Sequence, residues 1–306
     1  MIGPGEDLTS LSAKNDHLGV LRYIRAHELR EPSLVIQHGT ALLGPSLHKS
    51  LDDAASRTAA LEQICLAALD VDDLELAQTS LKELATTHNI DAKESSRYQR
   101  LQARCLEAAG DYDGAMMMYD DMLKANPSNV VALQRKYCVL RAKGSDTVAV
   151  VEALNEYLGQ QLSDVSGWYE MAQLRLSLAD YKGAAYALEQ VVLGSPLDAD
   201  IHCQLAEVYA TLGGLDNTVL ARKHMAQALE LNPINIRAQM GLVSVANQYL
   251  EESDAAGKKS LDEHEQLVAK ELVKYGAAQV LKSYKGTSMF AAVERVMNDY
   301  TENLET

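Results

Sequence analysis

The stretch SRYQRLQARCLEAAGDYDGAMMMYDDMLKANPSN, residues 96–129, decides the fold, because a second stretch of equal length repeats its pattern. The second stretch is VSGWYEMAQLRLSLADYKGAAYALEQVVLGSPLD, residues 165–198. Both place small residues where two helices would meet, and both end in a proline that stops the second helix. The matched residues are Ala103, Ala115 and Pro127 in the first stretch and Ala172, Ala184 and Pro196 in the second. An internal repeat of this kind indicates hairpins that pack on their neighbours along the chain.

The matched positions resemble the tetratricopeptide consensus, which describes a helix, a tight turn and a second antiparallel helix. Weaker copies occupy residues 58–88, 130–163 and 199–233, and residues 16–43 form a divergent first hairpin with Pro32 at a helix start. Pro196 and Pro233 are more widely spaced than one repeat, which predicts a three-residue insertion in the turn 213–217. We therefore predict an all-α fold, a right-handed α-solenoid of tetratricopeptide-type helical hairpins.

The predicted organisation has four parts. Residues 1–14 form a flexible N-terminal segment, residues 15–250 the tetratricopeptide-repeat solenoid, and residues 251–260 a polar loop. Residues 261–306 form C-terminal capping helices, at about 261–284 and 288–304, that shield the end of the hydrophobic core.

Charge and composition narrow the function. The formal net charge of −15 repels nucleic acid and anionic lipid, so neither is an expected partner. No apolar run reaches the ~20 residues that span a bilayer, and residues 1–10 lack the pattern of a secretory signal. We expect a soluble, cytosolic protein whose four separated cysteines are buried thiols rather than ligands or disulfides.

Catalytic chemistry is not indicated. The sequence contains no GxGxxG, GxxxxGK[ST], GxSxG or HExxH motif, and its eight histidines are scattered. We expect a protein that is not an enzyme and that needs no metal and no cofactor. An enzyme built on an α-solenoid, as in prenyltransferase α-subunits, remains a weak alternative, because the chemistry of such enzymes lies in another chain.

One surface pattern indicates binding. In arrays of this kind the first helix of each hairpin lines the concave face, which predicts a partner-binding groove. Its predicted residues are Arg97, Arg100, Arg104, Gln134, Arg135, Arg141, Tyr169, Gln173, Cys203 and Glu207. The arginines form a basic stripe in an acidic protein. Either they bind a segment that carries acidic residues, or they pair with carboxylates of this chain such as Asp91, Glu94 and Glu107.

The order of the motifs is more specific than the repeat. GDYDGAMMMYDDMLKANPSN (residues 110–129), LNEYL (154–158), DYKGAAYALEQVV (180–192), AEVYATLGGLDN (206–217) and ARKHMAQALELNP (221–233) together resemble the subunit 2 family of the endoplasmic reticulum (ER) membrane protein complex. The resemblance covers about residues 95–250, and the turn at Gly213 and Gly214 is its most discriminating element.

This resemblance implies a scaffold subunit peripheral to the ER membrane, on its cytoplasmic face. Its implied partners are membrane-embedded subunits with cytosolic segments and a soluble, β-rich cytosolic subunit. The implied hetero-oligomer inserts transmembrane segments, including tail anchors, and this chain contacts the membrane only through its partners.

The residues alone leave a second function open. A free tetratricopeptide adaptor could bind acidic peptide tails of chaperones or of degradation machinery. Adaptors for such tails use Lys and Asn in the groove, whereas Arg100, Arg104 and Gln134 stand here, which makes a chaperone-tail adaptor the weaker hypothesis.

Overall fold

A computed structural model describes residues 7–43, 54–88, 95–255, 263–302 and 304. These residues form sixteen helices and no strand, which confirms the predicted all-α class of helical hairpins. The helices are α1 (Leu8–Ala13), α2 (His17–Ala26), α3 (Pro32–Thr40), α4 (Ala54–Asp70), α5 (Leu74–His88), α6 (Ser96–Ala108), α7 (Tyr112–Ala125), α8 (Val130–Ala142), α9 (Thr147–Gln160), α10 (Val165–Ser177), α11 (Tyr181–Gly194), α12 (Ala199–Leu212), α13 (Leu215–Leu231), α14 (Ile236–Ala255), α15 (Glu263–Tyr284) and α16 (Phe290–Glu302).

The chain divides into two compact units, residues 1–153 and 154–306. In the first unit, the core under α1–α6 is built from buried aliphatic residues such as Leu21, Leu61 and Ile64. Gly39 lets α3 approach α4 closely, because a side chain at this position would collide with Ile64. A second cluster around Tyr119 joins α6, α7 and α8 through the small residues that the repeat predicts.

In the second unit, consecutive helices from α10 to α16 pack against one another. Small residues such as Ala172, Ala184 and Ala206 are fully buried where the helices approach most closely. At the C-terminal end, α14, α15 and α16 share a core that includes Val243, Val273 and Met297. These last helices cover apolar surface that a further hairpin would otherwise bury.

Acidic and amide N-caps start the helices after the short turns. Asp111 accepts a hydrogen bond from the Gly114 amide, and Asp180 accepts one from the Gly183 amide, both at 3.0 Å. Asn129, Asp164 and Asp198 cap α8, α10 and α12 in the same way. The spacing of these caps fixes where each helix begins.

Three turns of the second unit are each anchored by a hydrogen bond of the same kind. Trp168 Nε1 donates to the Leu162 carbonyl at 2.9 Å, and Gln239 Nε2 donates to the Pro233 carbonyl at 2.8 Å. His202 Nε2 lies 3.1 Å from the Pro196 carbonyl. A carbonyl oxygen only accepts, so this His202 nitrogen carries a proton. In each case a buried side chain at the fourth position of a helix fixes a carbonyl six residues earlier.

The three residues predicted to be inserted in the turn lengthen a helix instead, which corrects the sequence interpretation. The link between α12 and α13 is only Gly213 and Gly214, with φ of 65° and 85°. Helix α13 has 17 residues, whereas α7 and α11 have 14 each. The glycines allow a two-residue link because positive φ costs them little.

The N-terminal segment and the polar loop also differ from expectation. Helix α1 lies within the segment predicted to be flexible, and its Leu11 is 1% exposed in the core. Helix α14 continues through the first half of the predicted loop, because Ser253 is buried and accepts from Gln266 Nε2 at 2.8 Å. Residues 1–6 and 256–260 of these two segments lie outside the described residues.

Candidate partner-binding surface

Helix α6 carries the predicted basic stripe. Ser95 caps the helix by accepting from the Tyr98 amide at 3.3 Å, and Leu101 and Cys105 bury one side in the core. Arg97, Arg100 and Arg104 follow at spacings of three and four residues, so they share one side of the helix, next to the buried face. The first is exposed, and the other two are half-buried.

Two of the predicted arginines already have acidic partners within the first unit. Arg97 forms an ion pair with Glu62 of α4. Arg135 of α8 donates from Nε to Glu107 Oε1 at 3.1 Å and from its Nη2 to the second oxygen of the same carboxylate. Tyr119 also donates to Glu107, at 2.6 Å, so this carboxylate ties α6 to α7 and α8. These pairs neutralise part of the stripe.

Arg100 and Arg104 have no hydrogen bond or ion pair within the described ranges. Their positive charges affect the pKa values of neighbouring side chains. Burial raises the pKa of Tyr119, and the positive charges of Arg104 and Arg100 oppose that rise. Burial lowers the pKa of Arg135, and Arg104 adds to that effect by charge repulsion. The side of α6 that carries Arg97, Arg100 and Arg104, here called the α6 face, therefore has two half-buried guanidinium groups that bond to no carboxylate among the described residues.

The sequence left two roles for the predicted arginines, binding an acidic partner segment or pairing with carboxylates of this chain, and these roles fall to different residues. Glu107 does pair with an arginine, but with Arg135 and not with a member of the α6 stripe. Asp91 and Glu94 lie outside the described residues. On α8, Gln134 is half-buried and Arg141 is exposed. Tyr119 and Arg135 share Glu107 as a hydrogen-bond partner, and the charges of Arg100 and Arg104 act on Tyr119.

The second unit has a separate groove of about 470 Å³ that contains three of the predicted residues. Tyr169 and Gln173 of α10 and Glu207 of α12 line it. Gln173 Nε2 donates to Gln204 at 3.3 Å, and Arg237 Nε donates to Glu207 at 2.5 Å. This groove is polar, and its central acid and base neutralise each other.

Cys203 corrects the predicted lining of this groove. Its side chain is 0% exposed, and its sulfur lies 3.8 Å from Asn235 Nδ2. Burial raises the pKa of the thiol to about 11, so it stays protonated at neutral pH. Cys203 therefore packs inside the unit and does not present its side chain to a partner.

Glu62 and Arg237 contribute to these surfaces without having been predicted. Each pairs with a residue 30 to 35 positions away, in a neighbouring hairpin. An acid and a base separated by about one repeat length were the available signal, because equivalent positions of successive hairpins lie side by side.

The described residues contain no group of three or more His, Cys, Asp or Glu side chains that could hold a metal ion. None of the described helices is both long and apolar enough to span a membrane. The arrangement offers ion-pairing and hydrogen-bonding groups on helix faces, which is chemistry suited to binding.

Comparison with known proteins identifies the family. ER membrane protein complex subunit 2-A of Xenopus laevis is 34% identical over 264 residues, which cover 85% of this chain and 83% of the relative. The chain belongs to the ER membrane protein complex subunit 2 family. Subunit 2 of Dictyostelium discoideum is 30% identical over 69% of this chain and 64% of its own length. A family model described as the EMC2 TPR-like repeat domain matches residues 87–219.

The family assignment confirms the resemblance seen in the sequence and extends it. In the Xenopus laevis subunit 2 the similarity covers more of the chain than residues 95–250. The subunit 2 repeat model spans α6 to α12, the helices that contain the stripe and part of the polar groove. A solved structure, the C-terminal part of a TPR repeat-containing protein from Cytophaga hutchinsonii, has a TM-score of 0.50 at 12% identity and covers 94% of this chain and 97% of its own. That similarity concerns the fold alone.

Proposed function

We propose that this protein is a non-enzymatic scaffold subunit of an ER membrane protein complex. It lies on the cytoplasmic face of the membrane and contacts the membrane through its partners. It holds cytosolic parts of membrane-embedded subunits, together with a soluble β-rich subunit, and so supports insertion of transmembrane segments, including tail anchors. The observation that carries the proposal is the 34% identity to a named subunit 2 over 85% of the chain.

The α6 face supports a scaffold role in physical terms. Two half-buried guanidinium groups that bond to no carboxylate among the described residues are costly to leave beside one another, and a carboxylate from another chain would relieve that cost. Guanidinium groups bind carboxylates through two parallel hydrogen bonds, which gives orientation as well as affinity. We infer that an acidic segment of a partner subunit binds Arg100 and Arg104.

Detergent-solubilised affinity purification of the tagged chain tests the proposal. We expect recovery of a fixed, stoichiometric set of multi-span ER proteins with one soluble companion, identified by mass spectrometry. In the double variant Arg100→Glu with Arg104→Glu, we expect partner recovery to fall about tenfold or more, because like charges then face the acidic segment.

The matched control is Arg22→Glu with Lys82→Glu, which reverses two exposed charges elsewhere in the same unit. Circular dichroism establishes that both double variants are folded. Equal partner recovery from the two variants would contradict the role of the α6 face. Recovery of no stoichiometric membrane partner by the unmodified chain would contradict the scaffold function itself.

The adaptor for acidic peptide tails is the second candidate, because Arg100 and Arg104 would also suit a peptide carboxylate. Titration of the purified chain with an isolated acidic C-terminal peptide separates the two functions. Tight binding that disappears in the α6 double variant, without stoichiometric membrane partners, would favour the adaptor.

A further inference from the structure

Three turns at one edge of the second unit each expose a large aliphatic side chain. Leu162, Leu197 and Ile234 are 70%, 80% and 82% exposed. Each lies in the turn that joins the second helix of one hairpin to the first helix of the next. Because successive packed helices alternate in direction, these turns lie at the same edge of the unit. We call these three residues the aliphatic ridge.

Leu197 and Ile234 do not make the usual contact with the helices that follow them. An apolar residue just before an N-cap commonly packs on the fourth residue of its helix. Leu197 and Ile234 have that position, but the fourth residues are His202 and Gln239, whose polar side chains bond the Pro196 and Pro233 carbonyls instead. The ridge side chains therefore project outward from turns that hydrogen bonds hold in place.

The surroundings of the ridge are acidic. Residues 160–165, 194–200 and 231–236 include Asp164, Asp198 and Asp200, and the basic residue that follows them, Arg237, forms an ion pair with Glu207. The hydrogen bonds to these carboxylates come from backbone amides, a tyrosine hydroxyl and an asparagine amide, all of which are neutral donors. These contacts therefore leave the negative charges of Asp164 and Asp198 in place, whereas Asp200 also interacts with the positive charge of Arg237. A surface that combines exposed aliphatic groups with negative charge selects its partner by both properties.

We propose that the aliphatic ridge binds an amphipathic segment of a partner protein, with apolar side chains flanked by Lys or Arg. The apolar side chains cover Leu162, Leu197 and Ile234, and the basic flanks face Asp164, Asp198 and Asp200. Charge argues against the other occupants: an anionic membrane is repelled by the carboxylates, and a second copy of the ridge would bring like charges together. The proposal does not depend on the proposed function, because it concerns residues of the second unit and a different chemistry from the α6 face of the first unit.

Fluorescence anisotropy with a labelled amphipathic leucine–lysine helix tests the ridge on the full-length chain. We expect the triple variant Leu162→Ser, Leu197→Ser and Ile234→Ser to bind this peptide about tenfold more weakly or worse than the unmodified chain. The matched control Leu178→Ser, Leu220→Ser and Val296→Ser removes three other exposed aliphatic residues of the same unit. We expect the control to bind as the unmodified chain does.

A leucine–glutamate peptide of the same length measures the contribution of charge, and we expect it to bind about tenfold more weakly than the lysine peptide. Equal affinity of both peptides, or equal losses in the ridge and control variants, would overturn the proposal. So would ridge-dependent binding to vesicles of phosphatidylcholine and phosphatidylserine, or a ridge-dependent dimer in analytical ultracentrifugation. Thermal unfolding establishes that both triple variants are folded.

Discussion

Ala179 has a left-handed backbone conformation, with φ of 56°, in the turn between α10 and α11. The corresponding turns after α6 and α8 have Gly110 and Gly144 in that conformation, with φ of 78° and 71°. A side chain at positive φ crowds the backbone, whereas glycine does not. This single residue therefore carries a strain that two other hairpins avoid.

Replacing Ala179 with glycine should stabilise the protein. We expect a gain of about 0.5–1 kcal/mol, the relief of crowding less the added backbone entropy of glycine in the unfolded chain. The thermal midpoint, followed by circular dichroism, measures the change. The control Ala226→Gly lies at an exposed position inside α13 and should destabilise by about 1 kcal/mol. A lower midpoint for Ala179→Gly than for the unmodified chain would contradict the strain argument.

Single residues also mark the limit of prediction for the candidate surface. The stripe on α6 could be predicted because helical spacing places Arg97, Arg100 and Arg104 on one side. The sequence could not show which of them pair with a carboxylate of this chain, because Glu62 reaches Arg97 from another hairpin. Cys203 was assigned to the groove by position alone, and its burial depends on packing that no single repeat reveals.

A buried cation, the guanidinium group of Arg222, joins α13, α14 and α15. Arg222 of α13 forms an ion pair with Glu265 of α15, and their side chains are 6% and 33% exposed. The guanidinium group lies 5.2 Å from the ring centre of Tyr249 on α14. The hydrogen bond from Arg222 lowers the pKa of Glu265 below its ordinary value of 4.5. This contact connects the C-terminal helices to the repeats before them.

The variant Glu265→Gln should loosen the C-terminal helices, because it leaves the charge of Arg222 buried without its carboxylate. We expect a loss of about 1–3 kcal/mol, and faster amide hydrogen exchange in α15. Glu271→Gln is the control, since its ion pair with Lys274 is 3.6 Å long and exposed. Equal rates of amide hydrogen exchange in both variants would argue against a stabilising role of the Arg222–Glu265 ion pair.

The same ion pair has a pH dependence of known sign. Because the pKa of Glu265 is lowered in the folded protein, its contribution is fully present above pH 4.5 and is lost as the pH falls through the folded value. The additional exchange caused by Glu265→Gln should therefore shrink in strongly acidic buffer.

Element positions were largely predictable, and the exceptions have physical causes. Pro127, Pro196 and Pro233 stop helices at the expected places, so the hairpins between them follow from the sequence. Helix α1 has only six residues, too few to show a helical period. The end of α14 is polar in sequence, and it remains helical because α15 packs on it.

Among the described residues, each unit contains a pair of contacting histidines. His17 and His38 lie with their Nδ1 atoms 2.9 Å apart in the first unit, and His202 and His224 do so in the second. Burial, and then the charge of the neighbouring imidazole, lowers the pKa of both His38 and His224. Each pair is therefore held with a neutral member in the folded protein.

Both units should lose stability when the medium becomes mildly acidic. Below the ordinary histidine pKa of 6.5 the unfolded chain takes up protons that the folded chain does not bind, so stability falls from there down to the lowered folded values. We expect the thermal midpoint to decrease from about pH 7.5 to about 5.5. His224→Gln should reduce this dependence, whereas His264→Gln, at an exposed position, should not. An unchanged slope in His224→Gln would contradict this origin.

The turn anchors of the second unit have a consequence for how such chains are found. An indole, an imidazole and a carboxamide, in Trp168, His202 and Gln239, each reach a carbonyl six residues back. The three turns have in common an N–H donor that reaches the same carbonyl position, whereas the type of side chain differs. A search that scores tryptophan at this place undercounts the hairpins, whereas one that scores the donor and its reach would recover all three.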